Sequence, residues 1–340
     1  MSKKDLLALI LSKSKMLSLM GSINATLNRS LTILAYHRIY DMGDEASFPF
    51  DPELISATPE QFKTQIEYVK RYFNVVSFKD VINHIDGKKI LPKRPIIITF
   101  DDGHYDNYSN AFPILKSLDV PATIFLSTGY IGSDDIFWFD WVAYIIYRTN
   151  KLSFSLADNT EYNIGNTVES RREITEQVLE YLKSVPNASR LQIINDLTTK
   201  LDVSLLDADK SLSSCLNWQQ VIEMYSNGIE FGSHTISHPI LSRLKSTELK
   251  EEIVKSKKDI EKQLSIDVDT IAYPVGGSSE YDTNVIDICK SAGYRLGISY
   301  VSGIERTNLL SLFEMKRLHV ERYTNMHRFK AMLHLPQIFM

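Results

Sequence analysis

Short apolar runs without polar alternation, each followed by a segment of helical periodicity, constrain this chain most. Leu31–His37, Pro95–Phe100 and Ala122–Leu126 are such runs. Lacking a polar face, they suit strands buried on both sides, as in a parallel sheet covered by helices. Thr58-Pro59-Glu60-Gln61 reads as a helix start, with Thr as cap, Pro at the first helical position and Gln three residues after the cap. Phe62, Ile66, Val69 and Phe73 then recur at helical spacing. Further strands are predicted at Asn74–Phe78, Ile229–His234, Thr270–Pro274, Arg295–Tyr300 and Met315–Val320. Helices are predicted at Asp80–Ile85, Asp106–Leu118, Trp218–Tyr225, after a Ser246-Thr247 cap, and at Thr283–Ala292 with Gly293 at its end. Residues 131–214 break the alternation with mostly helical signals, and read as an insertion or subdomain.

The expected organisation is α/β: an N-terminal helical segment over 1–29, a main unit over 30–130 and 215–335, and a largely helical insertion over 131–214. The length of 340 residues leaves room for about two domains, or one large barrel with an insertion. Lys+Arg is 38 against Asp+Glu 42, so the chain lacks the basic footprint of a nucleic-acid binder. Two cysteines, Cys215 and Cys289, exclude a disulfide scaffold and read as reduced thiols. Lys3 and Lys4 precede the apolar run Leu6–Leu11, which Lys13 and Lys15 interrupt well short of the roughly 20 residues of a membrane span. A docked helix is the plain expectation there, and a basic amphipathic helix on a membrane surface is the second. Localisation is expected to be cytoplasmic, at the inner membrane surface, with export as the alternative.

Two motifs carry chemistry. Asp101-Asp102-Gly103 ends a buried apolar strand, where parallel α/β folds bind their ligands. Adjacent carboxylates repel and call for a cation or a proton; an ordinary Asp-Asp-Gly turn is the alternative. His234-Thr-Ile-Ser-His238 also follows a strand. Its i, i+4 spacing places both imidazoles on one side of a helical turn, while Gly232, Ser233 and Pro239 equally suit a tight loop. Two imidazoles and one carboxylate suit Zn²⁺ and leave a fourth position for water, whose pKa falls to about 7 in such a site.

Thr99-Phe100-Asp101-Asp102-Gly103, His234-Thr-Ile-Ser-His238 and Ala272-Tyr273-Pro274-Val275-Gly276, in this order, resemble the motifs of the polysaccharide deacetylases. This is the NodB-homology group, carbohydrate esterase family four. The resemblance covers residues 30–130 and 215–320. It implies a distorted (β/α) barrel and a metal-dependent hydrolase that removes N-acetyl groups from amino sugars, with a divalent metal, usually Zn²⁺, as cofactor. The implied partner is an N-acetylated glycan, a bacterial-type surface polysaccharide or its lipid-linked precursor. Asp101 resembles the catalytic base, and Asp102, His234 and His238 resemble the metal ligands. The Val275 N–H takes the place of an oxyanion donor. Two departures stand out. The third motif often begins with an Arg that pairs with the base, and here the residue is Ala272; Arg317 is the candidate to orient the base instead. The late Leu-x-His motif is only partly matched by Leu318-His319, which makes His319 the candidate general acid. The alternatives are a silent sugar- or metal-binding member of the fold, or a deacylase acting on formyl or O-acetyl groups.

The residues alone add further candidates. His37, at the end of the first strand, is a candidate pocket residue. Trp138, in the aromatic run that opens the insertion, is a candidate sugar-stacking surface. His104 and Asp106 are expected at the mouth of the site.

Overall fold

The computed structural model describes residues 3–13, 30–156 and 160–339. The expected 1–29 segment is described only as helix α1, Lys3–Lys13; residues 14–29 lie outside the described set.

Seven parallel strands close into a barrel: β1 Ser30–Tyr36, β2 Pro95–Phe100, β3 Ala122–Leu126, β4 Ile229–Ser233, β5 Thr270–Ala272, β6 Leu296–Ser302 and β7 Met315–His319. The hydrogen-bonded order around the ring is β1-β7-β6-β5-β4-β3-β2, and β1 pairs with β2 from Thr32–Ile96 to Tyr36–Phe100 to close it. Alternate residues feed two cores. Leu31, Ile33, Ile97, Phe125, Ile298 and Met315 belong to one buried cluster. Leu34, Tyr36, Ile96, Ile98, Phe100, Ile124 and Leu126 belong to another, packed against the helices. This period of two explains the apolar runs: neither face of a barrel strand meets water.

Helices surround the barrel: α2 Pro59–Tyr72, α3 Phe78–Ile85, α4 Phe112–Leu118, α5 Trp138–Arg148, α6 Val168–Ser184, α7 Asn187–Leu201, α8 Trp218–Ser226, α9 Ser246–Leu264, α10 Thr283–Ser291 and α11 Met326–His334. The Thr58–Gln61 capping box at α2 is formed as expected, with the Thr58 side chain accepting from the Gln61 N–H and the Gln61 side chain from the Thr58 N–H. Two expectations are corrected. The predicted strand Asn74–Phe78 is only Asn74–Val75, pairing beside the start of β2, because Ser77 caps α3 and draws Phe78 into it. The cap of α9 is Lys245, with the helix starting at Ser246.

Residues 131–214 contain α5, α6, α7 and a hairpin of Ser153–Ser155 with Glu161–Asn163. They form a core of their own around Phe137, Val142, Ile145, Val178, Leu182 and Leu197. Arg172 ties this segment to the barrel's loops, lying 3.5 Å from Glu45 and donating to the Tyr323 hydroxyl at 3.3 Å.

Candidate active site

Strand ends bring the motif residues together. Asp101 follows β2, His234 follows β4, His37 follows β1 and Tyr273 follows β5, all at the carboxyl end of the barrel. They face a cavity of about 310 Å³ also lined by Asp102, His238, Val275, Tyr300 and, from the insertion, Trp138 and Phe139. The loops there are strained. Asp102, Thr235, His238 and Val275 all have left-handed backbones, with φ of 75°, 70°, 54° and 60°. Such conformations cost free energy in non-glycine residues and collect at functional sites. Gly276, at φ 62°, is required: a Cβ there would meet the Tyr273 carbonyl at 2.7 Å and the Tyr300 nitrogen at 2.8 Å.

Asp102, His234 and His238 offer three ligand atoms within 4.8 Å of one another, all buried. His234 Nε2 lies 3.6 Å and His238 Nε2 3.3 Å from Asp102 Oδ1. Ligands each about 2.1 Å from a tetrahedral metal lie about 3.4 Å apart, so the residues present fit such an ion. His234 Nδ1 lies 2.8 Å from the Ala272 carbonyl, which leaves Nε2 for the metal. Burial pulls the His238 pKa down to about 3 despite the Asp102 charge, favouring the neutral ligand form. The Asp102 carboxyl is held far below its usual range: burial alone would raise it, but the imidazoles of His104, His238 and His37 around it outweigh that.

Asp101 is 2% exposed and held by Arg317 through two parallel contacts of 2.7 Å, Nη1 to Oδ1 and Nη2 to Oδ2. Arg317 is itself fully buried, donating from Nε to the Ser299 carbonyl at 2.9 Å and from Nη1 to Thr99 Oγ1 at 3.3 Å. Burial would push the Asp101 carboxyl up; the Arg317 charge, with His234 and His37, brings it below the ordinary carboxylate range. Arg317 of β7 thus reaches Asp101 from a different strand than Ala272 of β5, whose methyl cannot pair with it.

The candidate acid His319 and the candidate pocket residue His37 are placed differently. His37 lines the cavity, with Nε2 4.0 Å from Asp101 Oδ2. His319 does not line it: its ring stacks flat on Tyr300 at 3.7 Å, and Nδ1 is 3.5 Å from Ser302 Oγ. The expectation that His319 stands at the reacting centre is therefore corrected. The β6–β7 register shifts between Ile298 and Ser302, and Tyr300 is interposed between His319 and His37. Val275 lines the cavity. Trp138 does so while 5% exposed, its Nε1 committed to the His238 carbonyl at 3.1 Å.

Two residues expected at the mouth are buried supports instead, and a third support, Glu252, carries no mark in the sequence. His104, expected at the mouth, is fully buried with Nε2 3.6 Å from Asp102 Oδ2 and its ring 5.2 Å from Phe137. Asp106 is likewise buried, bound to Arg38 Nε at 2.8 Å. Glu252 of α9 gathers the His234–His238 loop, accepting from the Ile236 N–H at 2.7 Å, the Ser237 N–H at 3.0 Å and Ser237 Oγ at 2.6 Å. In sequence Glu252 is one of many charges on an exposed helix, and nothing marks it out.

The family model "Polysaccharide deacetylase" matches residues 88–297, well over half of the chain. The chain belongs to the polysaccharide deacetylase family. It is 42% identical over 79 residues to the poly-beta-1,6-N-acetyl-D-glucosamine N-deacetylase of Staphylococcus epidermidis, covering 23% of this chain and 27% of that protein. It is 29% identical over 121 residues to the Staphylococcus aureus (strain MRSA252) protein of that name, covering 34% of this chain and 41% of that protein. The matches thus span well under two thirds of these curated relatives. Among solved structures, the Streptococcus pyogenes deacetylase PplD in complex with acetate superposes with a TM-score of 0.57 at 21% identity, over 88% of this chain and 95% of that one. IcaB from Ammonifex degensii gives 0.57 at 15% identity, over 92% and 97%. These two likenesses bear on the barrel fold.

Proposed function

We propose that this deacetylase-family chain removes N-acetyl groups from amino sugars of a bacterial-type surface polysaccharide or its lipid-linked precursor. The observation that carries the reading is one cavity containing a three-residue metal-ligand set beside a carboxylate held bidentately by arginine. The staphylococcal relatives, named for poly-beta-1,6-N-acetyl-D-glucosamine, support a hexosamine polymer as substrate class.

Asp102, His234 and His238 hold the divalent metal, with Zn²⁺ the ion their donor chemistry suits best. When bound, that ion supplies Lewis-acid polarisation of the acyl oxygen and lowers the pKa of water. Asp101 accepts a proton from the attacking water, a contribution typically worth 10²–10⁴-fold. Arg317 keeps both Asp101 oxygens oriented and the carboxyl ionised. The Val275 N–H, on a left-handed backbone at the cavity wall, donates to the developing oxyanion. His37 rather than His319 gives the departing amine its proton, since it faces the cavity. Burial lowers the His37 pKa and makes it a ready donor, and with Nε2 4.0 Å from Asp101 Oδ2 the proton that Asp101 takes from the water replaces the one His37 gives up.

We propose that the protein acts at the inner membrane surface. Exposed Leu6, Leu7 and Ile10 on α1 support contact with lipid, and no helix among the described residues is long and apolar enough to cross a membrane. Loss of vesicle binding in a Leu6→Ser, Leu7→Ser, Ile10→Ser variant checks this contact; unchanged binding removes it.

The reaction is tested with β-1,6-linked N-acetylglucosamine oligomers of increasing length. Free acetate and new amine groups are expected in equal amounts. Release only from formylated or O-acetylated analogues would replace the acyl group in this reading.

A further inference from the structure

The two histidines of the metal site are held in different ways. His234 has an outer partner for Nδ1, the Ala272 carbonyl, of the kind that fixes the tautomer and orientation of a metal-binding imidazole. No described residue offers His238 Nδ1 a hydrogen bond. The position of His238 is set through its backbone and by ring packing. Its N–H donates to Thr235 Oγ1 at 3.2 Å, and its carbonyl accepts from Trp138 Nε1 at 3.1 Å. Both contacts hold a residue whose backbone is left-handed, at φ 54°. The imidazole edge meets Phe137 at 5.7 Å and Phe139 at 5.2 Å. Phe137, Trp138 and Phe139 all come from the start of α5, outside the barrel.

Trp138 is braced in turn. The Arg190 guanidinium of α7 lies 4.5 Å from the centre of its ring. Arg190 is 1% exposed; Nη2 donates to Asn187 Oδ1, and Nε and Nη1 have no hydrogen-bond partner. A buried guanidinium placed this way has the indole face as its main electrostatic complement, the setting in which cation–π attraction is strongest. With one face under Arg190, a Trp138 that is 5% exposed has little ring left to stack on a sugar.

We propose that Trp138, braced by Arg190, is a positioning residue for His238, so that the 131–214 segment sets the metal affinity of the barrel's site. The inference rests on the reading of Asp102, His234 and His238 as metal ligands. The segment holds from outside the barrel the metal-site histidine whose Nδ1 finds no hydrogen-bond partner among the described residues.

The test uses the full chain stripped of metal. Zinc affinity is read by competition with a chromophoric chelator, site geometry by the visible spectrum of the cobalt form, and folding by the Tm of the metal-free protein. Trp138→Phe keeps a ring and removes the donor. It is expected to weaken zinc binding about 10–100-fold and to change the cobalt spectrum. Arg190→Met is expected to act in the same direction, and Arg190→Lys to recover part of the loss. Zinc affinity and cobalt spectrum unchanged in Trp138→Phe would overturn the proposal, as would a lower metal-free Tm as the only effect. Should Trp138→Phe fail to fold, wild-type affinity in Arg190→Met overturns it. None of these readouts needs a substrate. Weakened zinc binding without acetate release from any glycan keeps the inference and removes the proposed reaction. Normal acetate release with unchanged affinity does the reverse.

Discussion

At the scale of single residues, the site depends on pairing Asp101 with Arg317 inside the barrel. Both are buried, and the two contacts of 2.7 Å offset a desolvation that neither charge could bear alone. Asp101→Asn is expected to lower kcat by at least ~10²-fold while leaving zinc affinity near wild type, since Asp102 supplies the ligand. Metal content measured beside turnover checks this, and a normal kcat would remove Asp101 as the base. Arg317→Met leaves a buried carboxylate unpaired. It is expected to cost about 3–5 kcal/mol of stability in addition to activity, read by denaturant unfolding; Arg317→Lys should recover part of both. Much of this was legible: Asp101, Asp102 and His234 follow strand ends, His238 lies in the loop after β4, and all four line one cavity. Arg317 follows from the resemblance: the family's third motif often begins with an arginine that pairs with the base, this chain has Ala272 there, and Arg317 pairs with Asp101 instead. His319 was misplaced because strand periodicity puts Arg317 and His319 on one face but cannot register the ring of Tyr300 between them, or the shift of β6 against β7.

At the scale of elements, the loops after the strands do what the strands cannot. The i, i+4 histidines fit a helical turn or a tight loop, and they sit in a loop with left-handed Thr235 and His238, gathered by Glu252 from α9. The loop's partner was illegible because Glu252 is a helix charge many residues away, reached only once α9 packs against β4. Helix α11 is also held by a titratable group. His334 at the end of α11 is 2% exposed, with Nε2 2.7 Å from the Tyr68 hydroxyl of α2 and Nδ1 3.2 Å from Arg94. Arg94 can only donate, so Nδ1 accepts and the imidazole is neutral. Burial, then the Arg94 charge, lowers its pKa to about 4. A folded pKa below the unfolded value of about 6.5 means that the unfolded chain binds more protons. This contribution is present above pH ~6.5 and is lost as the pH falls toward 4. Denaturant unfolding across that window should show a loss on the order of 1–3 kcal/mol. His334→Gln should flatten it, and an equally steep profile in that variant would contradict the assignment.

At the scale of the molecule, closure is the feature that no local pattern announces. Each strand was visible as an apolar run, but the β1–β2 pairing that makes a ring joins residues some 64 apart in sequence, Thr32 with Ile96. The barrel then fixes the spacing of loops that share no local signal, and the insertion closes one side of the cavity through Trp138 and Phe139. A metal held by Asp102, His234 and His238 would bind the folded ring and not the open chain. Saturating zinc should therefore raise Tm by several degrees, and excess chelator should reverse the shift. A Tm indifferent to both would argue against a preformed site.

The most direct measurement titrates zinc into the metal-free chain while following acetate release from an N-acetylglucosamine oligomer. The account predicts that activity rises in step with occupancy, saturates at about one ion per chain, and falls on adding chelator. It also predicts that Asp102→Ala abolishes both binding and release. Full acetate release from the metal-free protein, or from Asp102→Ala, would contradict it.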